Sequence, residues 1–169
     1  GAVDVFLRVI RKLGIPVTTA WTHDLLPSAS PVHCGRQGTI GDRAGNLVVQ
    51  NSDMLLVLGS RLCIRQVGYN WKSFAREAFK IQVDIDPAEL RKPTVHVDLP
   101  VCCDLRDFLE ELETQLDAEP HAEFRHARWL EWSKERGRLY PVVQPHHRSF
   151  RGAINPYHFC EVLSDCLDD

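Results

Sequence analysis

The sequence predicts an α/β fold: a Rossmann-like, three-layer parallel sheet of the flavin- or nucleotide-binding type, with flanking helices and a C-terminal helical extension. Three observations carry this. "MLLVLGS", from Met54 to Ser60, has the length and unbroken apolarity of a parallel strand buried on both faces. "KIQVDID", from Lys80 to Asp86, gives a second strand after a helical stretch. Strands and helical periods then alternate through the first two-thirds of the chain, the pattern of right-handed crossovers. At 169 residues the chain can bury one real core and still carry an appendage.

Each element has a local cause. Val3, Phe6, Leu7, Ile10 and Leu13 recur with the period of an amphipathic helix, and Gly14 supplies its stop. "IPVTTAW" at 15–21 reads as a short buried strand, and 22–41, with two prolines and three glycines, as a long loop. "DRAGNLVVQNSD" forms a helix with Asp42 near its N-terminus, feeding the strand at Met54. A loop and short helix over 61–79 lead to the strand at Lys80. "DPAEL" predicts a helical turn with Asp86 at the N-cap, Pro87 in the first position and Glu89 completing a capping box. "TVHVDL" at 94–99 is the fourth strand candidate. Asp104 can cap a helix whose apolar face is Leu105, Phe108, Leu109, Leu112 and Leu116.

Beyond residue 117 the pattern changes. A charged helix carries Trp129 and Trp132, an extended linker runs from Leu139 to Ile154, and "NPYHFCEVLSDCL" reads as a capped helix without a strand of its own. The predicted division is therefore 1–117, 118–153 and 154–169. Opening on Gly1 rather than Met suggests a piece of a longer protein.

Composition narrows the function. A net charge of −3 argues against nucleic acid as the main partner. No apolar run approaches the roughly 20 residues of a membrane span, and the N-terminus lacks the pattern of a signal peptide. The six cysteines form no C-x-x-C pair, so they read as reduced, buried thiols of a cytoplasmic protein. No metal site is assigned to the eight histidines, and no spacing nominates a catalytic nucleophile with its base.

Three features can carry a ligand. The loop Gly35–Gly45 feeds a helix N-terminus, where free N–H groups favour an anion, although turn glycines explain it equally. Arg61 and Arg65 lie in "GSRLCIR" just past a strand end, the side of an open sheet where ligands bind. They could hold phosphates or a flavin ring, or simply neutralise nearby acids. Asp84 ends a strand where acids often meet ribose hydroxyls, while Asp86 and Asp104 are sufficiently explained as helix caps. Together these suggest a nucleotide lying across strand ends.

The stretches "LGIPVTTAW", "GRQGTIGDRAGNLVVQNSDMLLVLGSRLCIRQVGYN", "KIQVDIDPAELRKPT" and "DLPVCCDLRDFL" together resemble the central domain of thiamine-diphosphate-dependent enzymes, in the acetolactate synthase-like branch. The likeness covers residues 1 to 116, and "SDMLLVLGSRL" with "VDIDPAEL" is its most specific part. It implies a three-domain enzyme with a pyrimidine-binding domain before this one and a diphosphate-binding domain after it. Such enzymes use thiamine diphosphate to attack a 2-keto acid such as pyruvate, lose carbon dioxide and pass the remaining carbanion to an acceptor. The activating glutamate belongs to the first domain. The Mg²⁺ motif, Gly-Asp-Gly with a later Asn-Asn, belongs to the third. "GDR" at Gly41–Arg43 begins like that motif but lacks its second glycine and the asparagines. Neither half of the catalytic apparatus is therefore implied here, and the domain alone should be inactive.

The resemblance further implies FAD, which plays no net redox part in acetolactate synthase-like members. By position, Gln37, Gly38 and Thr39 match the loop that wraps the FAD. Gly59, Arg61 and Arg65 match the glycine-arginine stretch after the strand. Asp84 and Asp86 match the strand-end acids near the adenosine half, and Asp104 the acid that closes the site. The loop departs at Arg36–Gln37, where flavin-binding members show Met-His. Members also open with a strand before the first helix, so a sheet lacking its first strand is expected. The last helix resembles the start of the diphosphate-binding domain, and the whole enzyme is expected to be a homo-oligomer, dimer or tetramer. A stand-alone nucleotide-binding or regulatory module is the alternative. A nicotinamide dehydrogenase is disfavoured by the missing G-x-G-x-x-G.

Overall fold

The computed structural model describes residues 1–22, 25–118 and 126–167. Helix α1 spans Val3–Leu13 and ends at Gly14, whose φ of +58° lets its N–H turn back to Ile10 O at 3.0 Å. Helix α2 spans Arg43–Gln50, followed by strand β1, Met54–Leu58. A one-turn helix α3, Ile64–Val67, and a 3₁₀ turn at Trp71–Ser73 lead to strand β2, Phe79–Asp84. Strand β3, Leu99–Cys102, precedes helix α4, Leu105–Ala118. Helices α5 (Ala127–Leu139), α6 (Pro145–Arg148) and α7 (Pro156–Asp165) complete the chain.

The sheet is parallel in the order β1–β2–β3, with Leu58 opposite Val83 and Asp84 opposite Cys102, so the strand C-termini line up along one rim. Two cores flank it and give the expected three layers. On one face Val5, Phe6, Val9 and Ile10 of α1 meet Leu109 of α4, which is 0% exposed. On the other, Val49 of α2 and Val57 of β1 pack with Leu62, Phe74, Ala75, Ala78 and Val95. Arg8 clamps α1 to α4 through both oxygens of Glu113 at 2.8–3.2 Å, and Lys12 bonds Glu113 at 3.0 Å and Asp117 at 2.7 Å.

Several expectations need correction. The strand predicted over 15–21 is reduced to one parallel bridge, Val17 with His33. The partner there is an irregular loop: Val17 N–H donates to Val32 O and Cys34 N–H to Val17 O, each at 2.8 Å. The strand predicted over 94–99 lies further on, at Leu99–Cys102. Val95 is drawn into the second core instead, and Pro100 is accommodated because β3 is an edge strand. The predicted capping box at Asp86 is absent, since Glu89 turns to Arg61 and Lys92 and helical geometry begins only at a 3₁₀ turn, Glu89–Arg91. Of the charged helix predicted after 117, Ala127–Leu139 is described as α5, and 119–125, including His121, lie outside the described residues. The linker predicted over 139–154 contains α6. Of the six thiols, all free, Cys34 is buried, whereas Cys102, Cys160 and Cys166 are exposed.

Two expectations on helix ends agree with the structure. Asp104 caps α4, its Oδ1 accepting from Arg106 N at 2.7 Å. Asn155 caps α7, accepting from Tyr157 N at 3.0 Å, with Pro156 in the first position.

Candidate functional site

A cavity of about 470 Å³ opens beside β1. Among the described residues β1 pairs only with β2, so its other edge faces this space, with Ile15–Thr22 forming the opposite wall. The depth is apolar, lined by Phe6, Val9 and Ile10 of α1. At the strand C-termini Gly59–Cys63, Thr19–Thr22, Gln37 and Gln66 form a mouth, and Ser52–Met54 line the opposite end. A concave apolar body with a few polar groups at one end is the usual shape of a small-molecule site.

The glycine loop that forms one wall is held by α2. Asp42 caps α2, its Oδ1 accepting from Gly45 N at 2.5 Å and its Oδ2 from Arg36 N at 2.7 Å. The carboxylate thus occupies the position where an external anion would meet the helix N-terminus. Asn46 seals the next turn, accepting from Gly38 N and donating to Gly38 O, both at 3.0 Å. Gly38, with φ of +121°, lies so close to the Arg65 carbonyl that a Cβ would collide with it. Thr39 N–H donates to that carbonyl at 2.8 Å. The loop and α3 are therefore stitched together through Arg65 backbone, which explains why glycine is needed there.

The predicted site residues divide into three groups. Gln37, Gly59 and Arg61 border the cavity. Gln37 Oε1 is buried and accepts no hydrogen bond. Gly59 takes φ of +56° and donates its N–H to Val83 O at 3.0 Å, carrying the chain out of β1 towards the rim. Arg61 is 71% exposed in its side chain and donates from Nε and Nη2 to Glu89 Oε1 at 2.9 and 2.6 Å. That hydrogen bond raises the Arg61 pKa, while Lys92 and then Arg61 hold the Glu89 carboxyl below its ordinary value. Gly38, Thr39 and Arg65 form the knot behind the wall. Asp84 is the last residue of β2 and Asp86 and Asp104 lie beyond strand ends, all outside the cavity lining and each occupied with backbone: Asp84 Oδ1 accepts from Asp86 N at 2.9 Å and Asp86 Oδ1 from Ala88 N at 2.8 Å.

Four residues at the mouth were not singled out by sequence. Buried Gln66 accepts from Cys63 N at 3.0 Å and donates to Ser60 Oγ at 2.8 Å, fixing the turn after β1. Burial works to raise the Cys63 thiol, but N–H groups of Arg65 and Gln66 and the Arg65 guanidinium outweigh it and leave the pKa lowered. Trp21 stands at the rim, with the Arg65 guanidinium 5.3 Å from its ring centroid. Only its place at the end of an apolar stretch could have marked it. Outside the cavity, α5 packs on α2 and Lys134 Nζ donates to Ser30 O and His33 O at 3.1 and 3.3 Å.

Comparison with known proteins agrees with this architecture. Residues 1–112 match the family model for the thiamine pyrophosphate enzyme central domain. The chain is 32% identical to the acetolactate synthase isozyme 1 large subunit of Escherichia coli K12, over all of this chain and 29% of that protein. It is 37% identical to a probable acetolactate synthase large subunit of Methanococcus aeolicus, over 69% of this chain and 19% of the relative. A probable chloroplastic acetolactate synthase 2 of rice, Oryza sativa subsp. japonica, is 31% identical over 94% of the chain and 24% of its own length. The chain thus spans less than a third of each of these relatives. With a parallel sheet, helices on both faces and this match over two-thirds of its length, the chain belongs to the central-domain family of thiamine pyrophosphate enzymes, acetolactate synthase-like.

Proposed function

We propose that the protein carrying this chain is a thiamine-diphosphate-dependent enzyme that decarboxylates a 2-keto acid or joins its fragment to an acceptor, and that this domain binds FAD at the cavity mouth. The relatives are named acetolactate synthases, which supports the reaction class. The observation that carries the ligand reading is Gln37 Oε1, a buried acceptor without a partner bordering a cavity of about 470 Å³. A flavin ring offers an N–H for such an acceptor. Arg61 supplies a cation at the same mouth, with Gly59 beside it.

Thiamine diphosphate, with Mg²⁺, supplies the acidic carbon that cleaves the keto acid. Neither the Gly-Asp-Gly motif nor its asparagine pair occurs in this sequence, so we assign that cofactor and its metal to flanking pyrimidine- and diphosphate-binding domains. On this reading residues 1–117 are the central domain, 118–153 a helix and linker, and 154–169 the first helix of the diphosphate-binding domain. The exposed Tyr157, Phe159, Val162 and Leu163 of α7 would then be covered by that domain. The strand that family members carry before α1 would take the open edge of β1 and fill the apolar depth of the cavity, leaving the groups at the strand C-termini for the flavin. The role of this domain is structural and flavin-binding, with no catalytic residue of its own. We place the whole enzyme in the cytoplasm as a homo-oligomer, the six free thiols being in keeping with a reducing compartment.

The test uses the whole protein. Purified, it should be yellow, lose the flavin absorbance on denaturation and washing, and regain it with added FAD. It should also release carbon dioxide from pyruvate only with thiamine diphosphate present. A colourless protein indifferent to FAD overturns the flavin assignment, and an absence of thiamine-dependent decarboxylation or carboligation with any 2-keto acid overturns the reaction class.

A further inference from the structure

We propose that a second cavity, between α5 and the loop before α2, binds a small organic carboxylate: Lys134 and His33 take the carboxylate, and Ala44, Pro141 and Val142 the apolar body. The cavity holds about 300 Å³ and shares no lining residue with the first. Its charges are unbalanced. Asp42 is the acid on its wall, and both its oxygens already accept from backbone, at Gly45 N and Arg36 N. Burial pushes the Cys34 thiol up to about 11, so it adds no negative charge. Arg138 is paired with Glu131 at 2.6 Å, and Tyr140 carries the Arg43 guanidinium 4.4 Å from its ring centroid. Lys134 is left over. Its Nζ is fixed by the Ser30 and His33 carbonyls at 3.1 and 3.3 Å, and no carboxylate among the described residues matches its charge. His33 Nε2 is buried without a partner, as is Arg36 Nε. Burial, then Arg36 and Lys134, lower the His33 pKa, with Asp42 opposing, so the imidazole is neutral at pH 7. An anion in the cavity would offset those cations, and a protonated ring could then donate to it from Nε2. The space itself is kept open at Gly137. Glycine weakens a helix interior, and a Cβ at this position would meet nothing within 4 Å.

The experiment titrates the whole protein calorimetrically, with thiamine diphosphate, Mg²⁺ and FAD present, against benzoate, its neutral isostere benzamide, and inorganic phosphate. Benzoate should bind about tenfold more tightly than either of the others, because only it offers both the charge and the apolar body. Its affinity should rise from about pH 8 to about pH 6, with uptake of a proton, and H33N should lose that dependence. K134M should weaken benzoate about tenfold. G137L, which fills the cavity from the open side of α5, should do the same while melting no lower than wild type, since leucine is the better helix former. The site is overturned if wild-type protein binds no benzoate, if benzamide or phosphate binds as well, or if G137L binds benzoate with wild-type affinity. G137L and K134M should titrate with FAD as the wild type does, so this site and the flavin reading fail separately.

Discussion

The helix pair α1–α4 and the terminal helix α7 have similar apolar patterns and opposite fates. In the pair, Val9 and Leu109 are almost fully buried and an ion-pair clamp through Glu113 joins the helices across the sheet face. In α7 no side chain is buried, and Leu163 keeps 44% of its surface in solvent. Both helices are amphipathic and α7 has a good cap, so what separates them is the surface each meets. Periodicity announces that a face will be covered, not by what.

The sharpest way to break the comparison is to truncate one leucine in each region. Leu109→Ala should cost about 2–5 kcal/mol, because it opens a cavity in a closed core. Leu163→Ala should stay within roughly 0.5 kcal/mol in this chain, as an exposed position does. Urea denaturation of the two variants measures both, and equal losses would mean that α7 is buried in solution. Caps give a smaller contrast. Asp42→Ala should cost about 1–2 kcal/mol, since one carboxylate holds both Gly45 N and Arg36 N. Asn155→Ala, at the end of a helix with little tertiary support, should cost about 0.5 kcal/mol and register mainly as lost helical circular dichroism.

The smallest effect is electrostatic. Hydrogen bonds from Arg8 and Lys12 hold the Glu113 carboxyl down at about 2, against an ordinary value of 4.5. A depressed folded pKa means that the clamp contributes fully above the unfolded value and is lost as pH falls through the folded one. Glu113→Gln should therefore lower the melting temperature slightly at about pH 6, by progressively less as pH falls from about 4.5 through about 2. A difference that persists unchanged into acid would show that Glu113 acts through packing instead of charge.

Much of this was legible before any coordinates. α1, β1, β2, α4 and α7 follow from period and capping residues, because in each the local preference and the tertiary role agree. β3 was misplaced because Val95 and Val97 alternate like a strand, whereas Val95 serves the core and the pairing falls on a segment containing Pro100. Glu89 was misread for a related reason: a long-range ion pair to Arg61 outcompeted a local cap. At the site, sequence pointed to Gln37, Gly59 and Arg61 but not to Trp21, because exposure of an aromatic is a property of the fold around it. Nor could spacing reveal that Asp84 and Asp86 are each engaged with backbone two residues on.

The Asp42 carboxylate has a further consequence for the glycine loop. By bonding to Gly45 and Arg36, with Asn46 and the Arg65 carbonyl completing the closure, it brings the loop to its final shape with protein groups alone. A ligand arriving at the mouth has no disordered segment to organise on this side. The entropy of ordering that wall is spent during folding, and whatever affinity the mouth offers is not diminished by it.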